Sequence, residues 1–302
     1  MSRKSKQILG RVCIIILLAV LAVFVNRYQP EEDSIPSHEA IRTDVVELHF
    51  IDVGQGDSIL VVSGNTAMLI DAGENNQGEV VVDYLRSHNI KELEYVIGTH
   101  PHSDHIGGLD TVLSAFPVNH VILPSVTHMT KTFEDLLNVI EEKNMKITKA
   151  EVGDEYRLGA AAFTIVAPNA SSYEEMNNYS VGIHLTYLDN SFLLTGDAEK
   201  LSEREMIKNR IDLSADVLKL SHHGSSTSSN EEFLDAVNPS YAVISVGRAN
   251  EYGHPDADVL QRLSDRNIKV FRTDEQGTIV FTTDGKNISV NTKDYGTTGL
   301  QN

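Results

Sequence analysis

Tryptophan is absent, cysteine occurs once, and basic residues are far outnumbered by acidic ones in this 302-residue chain. With aromatics at 6% and no Trp, a sugar- or nucleic-acid-binding face built from stacked rings is not the expectation. The one cysteine, Cys13, lies in an apolar run near the N-terminus, so the rest of the chain contains neither a disulfide nor a thiolate metal ligand. Cys13 follows Arg11 and Val12 rather than closing that run, which reads as an apolar filler and not as a lipoprotein cysteine. Any metal site must come from His, Asp, Glu and water. The net charge of −18 is uneven: Arg3, Lys4, Lys6, Arg11 and Arg27 are basic and no acidic residue lies before position 28. The remainder holds 20 basic against 43 acidic residues, and so acidic a body repels polyanions at long range. Tight nonspecific DNA binding is thereby disfavoured, although a local metal centre can override the repulsion at one place.

What the chain does have at its start is a basic stretch followed by the uncharged run Val12 to Val25. Its fourteen residues are short of the ~20 of a spanning helix and match the apolar core of a signal segment. No small-residue cleavage site follows, so the expectation for residues 1–27 is an uncleaved signal anchor. The positive flank then stays inside, and the acidic body is expected outside the cytoplasmic membrane. Residues 28–44, with Pro30, Pro36 and an acidic cluster, read as a linker; 45–292 as the folded domain; and 293–302 as a tail.

From Val45 onward short apolar strands alternate with glycine turns: VELHFID, SILVVSG and TAMLIDAG form an antiparallel meander. A helical stretch (EVVVDYLRSH), the strand YVIGTH, a helix from about Gly107 and the strand HVILPS follow. The second half repeats the theme. Strands are expected at Phe163 to Ala167, Val181 to Leu188, Ser191 to Leu194 and Val217 to Leu220, with helices after Ala198 and near Glu231 to Ala236. YAVISVG, a helix near Asp258 to Arg266, IKVFRT, TIVFTT and NISVNT complete the pattern. Two similar α/β halves predict two sheets packed face to face with helices outside, a four-layer αββα sandwich.

The most informative segment is His100-Pro-His102-Ser-Asp104-His105, between an apolar strand and a glycine-led helix. Core packing does not explain four metal-ligating side chains within six positions. Histidines at i and i+2 of an extended segment point the same way, so one ion can bind both. Asp104 and His105 follow a turn and aim at a second position.

This HxHxDH pattern resembles the metallo-β-lactamase superfamily. The resemblance implies two divalent ions, zinc or else manganese or iron, with His100 and His102 on one and Asp104 and His105 on the other. It also implies that Asp71 in LIDAG orients ligands without touching metal and that Asp197 in LLTGDAE bridges both ions. Of His222 and His223, in LKLSHHGS, one is expected to complete the second ion, with His222 favoured and the other facing substrate. His254 in YGHP is expected at the mouth of the site. Together with the FIDVGQGDS, NNYS and YGHP segments, these motifs resemble the soluble hydrolase domain of ComEC-type competence proteins, which carry it beside a polytopic channel. One hydrophobic segment forms no pore, so the resemblance implies hydrolase chemistry without transport.

Many members of the superfamily have a further histidine between the HxHxDH loop and the bridging aspartate. His128 and His184 are the candidates by position; His184 reads as a packed strand residue, and water or Asn178 are alternative ligands. Asp57 after the GQG turn reads equally as part of the site or as a carboxylate serving its own loop. The expected reaction is phosphodiester hydrolysis by a metal-activated water at Asp104 and its neighbours. Ser225, Ser226, Lys219 and Asn178 are candidate contacts to substrate, and His254 or His223 the proton donor to the leaving oxygen. Nucleic acid or nucleotides outside the cell, or phosphodiester-linked wall polymers, are the expected substrates, and no protein partner is implied. Hydrolysis of esters, lactones or β-lactams is the alternative chemistry, and a tethered binding module without turnover the alternative class.

Overall fold

The computed structural model describes residues 45–292; the expected signal anchor, linker and tail lie outside the described residues. Among the described residues no helix is long and apolar enough to cross a membrane. The meander forms as expected: β1 (Val46–Phe50), β2 (Ile59–Ser63) and β3 (Thr66–Ile70) pair antiparallel in sequence order. Beyond β3 the sheet turns parallel through β4 (Leu93–Ile97), β5 (Val118–Leu123) and β6 (Ile147–Lys149). Parallel neighbours need crossovers, here the helices α1 (Gly78–Ser87), α2 (Ser103–Ile106), α3 (Leu109–Ala115) and α4 (Lys131–Glu142).

The second sheet has the same grammar. β7 (Glu155–Leu158), β8 (Ala161–Ala167), β9 (Gly182–Tyr187) and β10 (Asn190–Leu194) are antiparallel. β11 (Val217–Lys219), β12 (Tyr241–Ile244) and β13 (Lys269–Arg272) continue from β10 in parallel, joined through α5 (Lys200–Lys208), α6 (Glu231–Val237) and α7 (Ala257–Asp265). After the single turn α8 (Thr273–Gln276), β14 (Ile279–Thr283) and β15 (Ile288–Val290) return to the first sheet, with β14 antiparallel to β1 from Val46 opposite Thr283 to Phe50 opposite Ile279. The halves are therefore not strictly sequential, because the last two strands cover the otherwise open edge of β1.

The strands are apolar on both faces, which gives three layers of core. Between the sheets lie Leu48, Phe50, Met68, Ile97, Phe163, Ile165, Phe192, Val217 and Phe281. Outside the first sheet Leu69, Val96 and Val121 meet Val82, Leu109, Val112, Phe133 and Leu136 from the helices. Outside the second, Leu193, Leu218 and Val270 meet Met206, Phe233, Leu234 and Leu263. Helix α4 and strands β6 and β7 are not anticipated by the sequence pattern above. In α4 only Phe133, Leu136 and Ile140 are buried, a sparse stripe among charged residues, and Thr130 caps it by accepting from the Phe133 N–H.

Glu203 on α5 is fully buried and accepts N–H bonds from Ser229 and Asn230, tying α5 to the start of α6. Burial pushes its carboxyl up to about 7, against those hydrogen bonds and nearby Arg262. Between the unfolded value of 4.5 and about 7 the folded chain keeps a proton that the unfolded chain has lost, so stability falls as pH rises through that window. The loss attributable to this group is about 3 kcal/mol. Glu203→Gln cannot ionise and is expected to flatten that stretch of a Tm-against-pH curve; curves parallel to wild type from pH 4.5 to 7 would refute the assignment.

Candidate metal centre

Both sheets end their parallel strands on the same side, and the candidate site is built from the loops that follow those ends. From the first sheet come Asp71 after β3 and Thr99 with His100 after β4; from the second, Asp197 after β10, His223 after β11 and Ser245 after β12. The backbone is bent hard at several of these points. Asp71, His222 and His223 have φ of 58°, 51° and 52°, a left-handed conformation that costs a non-glycine residue of order 1–3 kcal/mol. Gly56, at φ 123°, packs so closely that a Cβ would lie 2.1 Å from the Asp104 carbonyl, and the next residue, Asp57, donates its N–H to that carbonyl at 3.1 Å. The GQG turn is thus what lets the two loops touch.

Asp71 orients the others. It is fully buried; its Oδ1 accepts from the Thr99 N–H at 2.8 Å, and its Oδ2 accepts from the Thr99 hydroxyl at 2.6 Å and from His105 Nδ1 at 2.8 Å. The last contact puts the proton of neutral His105 on Nδ1 and leaves Nε2 with a free lone pair. The Ser245 carbonyl does the same for His223, 2.8 Å from its Nδ1. Both Nε2 atoms are buried without a hydrogen-bond partner and converge on Asp197 Oδ2, at 3.1 Å from His105 and 3.4 Å from His223. Asp104 Oδ2 lies 3.2 Å from His223 Nε2 and 3.8 Å from His105 Nε2. Asp104, His105, Asp197 and His223 offer ligand atoms all within 4.8 Å of one another.

Beside this quartet, His100 Nε2 and His102 Nδ1 lie 3.0 Å apart, close to the ~3.3 Å expected of two nitrogens on one tetrahedral ion. His100 Nε2 is 3.9 Å from Asp197 Oδ2, the oxygen the quartet also shares. Its Nδ1 is held by the hydroxyls of Thr99 and Ser180 at 3.2 and 3.3 Å, and Ser180 Oγ also accepts from the Asp197 N–H. Buried ring nitrogens and carboxylate oxygens facing one another without protein partners are costly as they stand, and divalent cations that take nitrogen and oxygen ligands fit them.

Electrostatics show the same need for cations. Burial opposes charge on His105 and His223, yet Asp197 and Asp104 outweigh it and raise both, His223 to about 10. Burial likewise opposes ionisation of Asp104 and Asp197, but the two rings hold both carboxyls below their usual range. His100, surrounded by other histidines, is instead lowered, by burial first and then by His105.

Several expectations need correction. His223, not the favoured His222, enters the cluster; His222 points away, with Nδ1 2.9 Å from Thr227 Oγ1 and 3.6 Å from Glu199. The two residues are both left-handed, and their rings diverge, 6.2 Å apart and inclined at 67°, so that only His223 reaches Asp104 and Asp197 closely. Lys219 is no substrate donor: it is fully buried and its Nζ is 2.5 Å from Asp57 Oδ2. Asn178 is neither ligand nor substrate contact, because its Oδ1 accepts from the N–H groups of Glu199 and Ser202 at the start of α5. Ser225 accepts from Thr227, and Ser226 gives its N–H to Asp256 at 2.6 Å. His184 contacts the Ser214 carbonyl, as a packed strand residue does, and His128 has its Nδ1 3.3 Å from Thr130 Oγ1 and its ring 6.2 Å from that of His102. Among the described residues no further histidine joins His100 and His102.

Asp57 belongs with the site: besides Lys219 it lies 3.6 Å from His223 Nδ1 and 3.8 Å from His105 Nδ1. The cluster opens into a cavity of about 280 Å3 bordered by Gln55, Glu74, His102, His222, Tyr252 and His254. His254 thus sits at the mouth, stacked on exposed Tyr252 and edge-on to His222. Gln55, Thr99 and Ser180 were absent from the motif-based candidates. The GQG and NNYS segments were the signal for the first and last, and nothing marks Thr99 except its place before His100. His223→Ala is expected to lower the metal retained after dialysis by about one ion per chain, and His222→Ala to leave it unchanged; the reverse order in elemental analysis would return the ligand role to His222.

The family model described as the metallo-beta-lactamase superfamily matches residues 51–248. The chain is 34% identical over 253 residues to ComE operon protein 3 of Bacillus subtilis, which covers 78% of this chain and 33% of that protein. It is 33% identical to Recombination protein 2 of Haemophilus influenzae (70% and 26% covered) and 30% identical to Competence protein ComA of Neisseria gonorrhoeae (87% and 34%). The chain therefore spans about a third of the length of these relatives. Among solved structures, the metallo-beta-lactamase fold protein YhfI of Bacillus subtilis aligns with a TM-score of 0.54 at 13% identity, covering 79% of this chain and all of that one. At that identity the likeness speaks for the fold alone. With the two-sheet sandwich, the HxHxDH loop and the family match in agreement, the chain belongs to the metallo-β-lactamase superfamily.

Proposed function

We propose that this protein is a metal-dependent phosphodiesterase, tethered by its N-terminal segment to the cytoplasmic membrane with the catalytic domain outside. The observation that carries the chemistry is the convergence of His105 Nε2, His223 Nε2 and Asp197 Oδ2 at one buried point, beside a small cavity that Asp197 and His223 line. His100, His102 and Asp197 would hold one divalent ion, and Asp104, His105, His223 and Asp197 the other, zinc and manganese both suiting the donors. Such a pair, when bound, ionises a water near neutral pH and offsets the charge of a phosphate.

The chain's own residues do the rest. Neither Lys nor Arg lines the cavity, and Glu74 borders it, so a single phosphate group is the charge the site can accept. Gln55, whose buried Nε2 has no hydrogen-bond partner, is the donor available to a phosphate oxygen. His254 lies at the mouth, its Nδ1 without a hydrogen bond but 4.0 Å from Asp256, which partly offsets the burial that lowers its pKa; it takes the role of proton donor to the leaving oxygen, since His223 is occupied in the cluster. The names of the relatives, a competence protein and a recombination protein, favour nucleic acid or its fragments as substrate over wall polymers. An outside location is supported by the basic flank that precedes the apolar run.

A dinucleotide has a poor alkoxide leaving group that needs a proton, whereas p-nitrophenolate leaves unaided. His254→Ala is therefore expected to slow dinucleotide cleavage by about 10²-fold or more while changing turnover of bis(p-nitrophenyl) phosphate by less than about threefold. Equal losses on both would remove His254 from proton transfer. Turnover of a chromogenic β-lactam in place of either phosphodiester would overturn the substrate class, and no turnover of any of them with zinc or manganese would leave a binding module.

A further inference from the structure

Lys219 is the most unusual buried group in the fold. It ends β11, and with side chains alternating along a strand it faces the same way as Val217, into the layer between the sheets. It is fully buried, in a position where an apolar residue would extend the core. An ammonium there is costly unless paired, and its partners are all acidic or carbonyl oxygens. Asp57 Oδ2 is at 2.5 Å, the Gly196 carbonyl at 3.1 Å and Asp197 Oδ1 at 3.8 Å.

The two oxygens of Asp197 are thereby divided. Oδ2 faces the rings of His100, His105 and His223, while Oδ1 is buried, has no hydrogen-bond partner and faces Lys219. Around them lie four carboxylates, those of Asp57, Asp71, Asp104 and Asp197, three of them almost wholly buried. So dense a set of negative groups needs a cation whether or not metal is bound.

We propose that Lys219 is a built-in cation that stands in for the metal ions: paired with Asp57 and facing Asp197 Oδ1, it offsets the charge of the buried carboxylates before any ion arrives. The proposal rests on the reading of the cluster as a metal centre. It implies a competition. In the metal-free protein Lys219 is attracted by every nearby carboxylate, whereas divalent cations held by the histidine and aspartate cluster would repel it. Its contribution to stability is therefore larger without metal than with it, and its removal must widen the gap between the two states.

The test is the Tm of the full chain in chelator and across a manganese titration, for wild type, Lys219→Met and Lys219→Met/Asp57→Asn. Methionine keeps the length of the side chain without its charge, and the double variant removes the pair together, so no orphaned Asp57 remains. Both variants are expected to lose more Tm in chelator than in saturating manganese. Lys219→Met should reach its half-maximal shift at about tenfold less manganese than wild type, and the double variant, whose net charge is unchanged, at a concentration between the two. A variant that folds only when manganese is supplied supports the proposal. An equal loss of Tm in chelator and in manganese, an unchanged or higher manganese requirement, or failure to fold under both conditions makes Lys219 a packing element and overturns it. Absence of any manganese-induced shift in wild type would instead overturn the metal-centre reading itself.

Discussion

Four carboxylates meet where the two sheets end, and the need to offset their charge governs how this part of the molecule is built. Asp57, Asp71 and Asp197 are almost fully buried, and Asp104 is partly buried. Each would be strongly destabilising alone in such surroundings. The chain answers with Lys219 behind Asp197 and with His105 and His223, whose rings those same carboxylates draw toward the charged form. The arrangement remains short of positive charge, and the unpartnered Nε2 atoms mark where the shortfall lies.

Neither sheet could assemble the centre alone. Asp71, His100, His102, Asp104 and His105 follow strands of the first sheet, whereas Asp197, Lys219 and His223 follow or end strands of the second. What brings them to within a few ångströms is the apolar layer of Leu48, Phe50, Phe163, Phe192 and Phe281, which sets the spacing of the sheets. Hydrophobic packing, nondirectional in itself, thus determines the geometry of a directional polar site. The cost of that geometry appears as backbone strain at Asp71, His222 and His223, tolerated because the surrounding contacts over-determine it.

The tight approach of loops from different strands also accounts for the small cavity. Gly56 against Asp104, Gly107 against Asn75 and Gly224 against Pro255 leave no room for a Cβ, so backbone fills the space around the cluster and only its outer side is open. At that open side the lining includes histidine, glutamine, glutamate and tyrosine, with no lysine or arginine. Any positive charge met by a molecule in the cavity therefore comes from the centre itself, in keeping with the acidic body around it.

The amino-acid sequence by itself determined the fold class, the strand and helix order over most of the domain, and the residue types able to bind metal. These are local properties: an apolar strand pattern, and imidazole and carboxylate groups too closely spaced for a packed core. It did not reveal α4, whose apolar stripe is too sparse, or the return of β14 to β1, which depends on pairing across more than two hundred residues. Nor did it separate His222 from His223, or Lys219 as a surface donor from Lys219 as a buried cation. Those choices belong to the tertiary structure alone, because the handedness of a strained turn and the face of a strand decide which way a side chain points, and adjacent residues of the same type differ in nothing else.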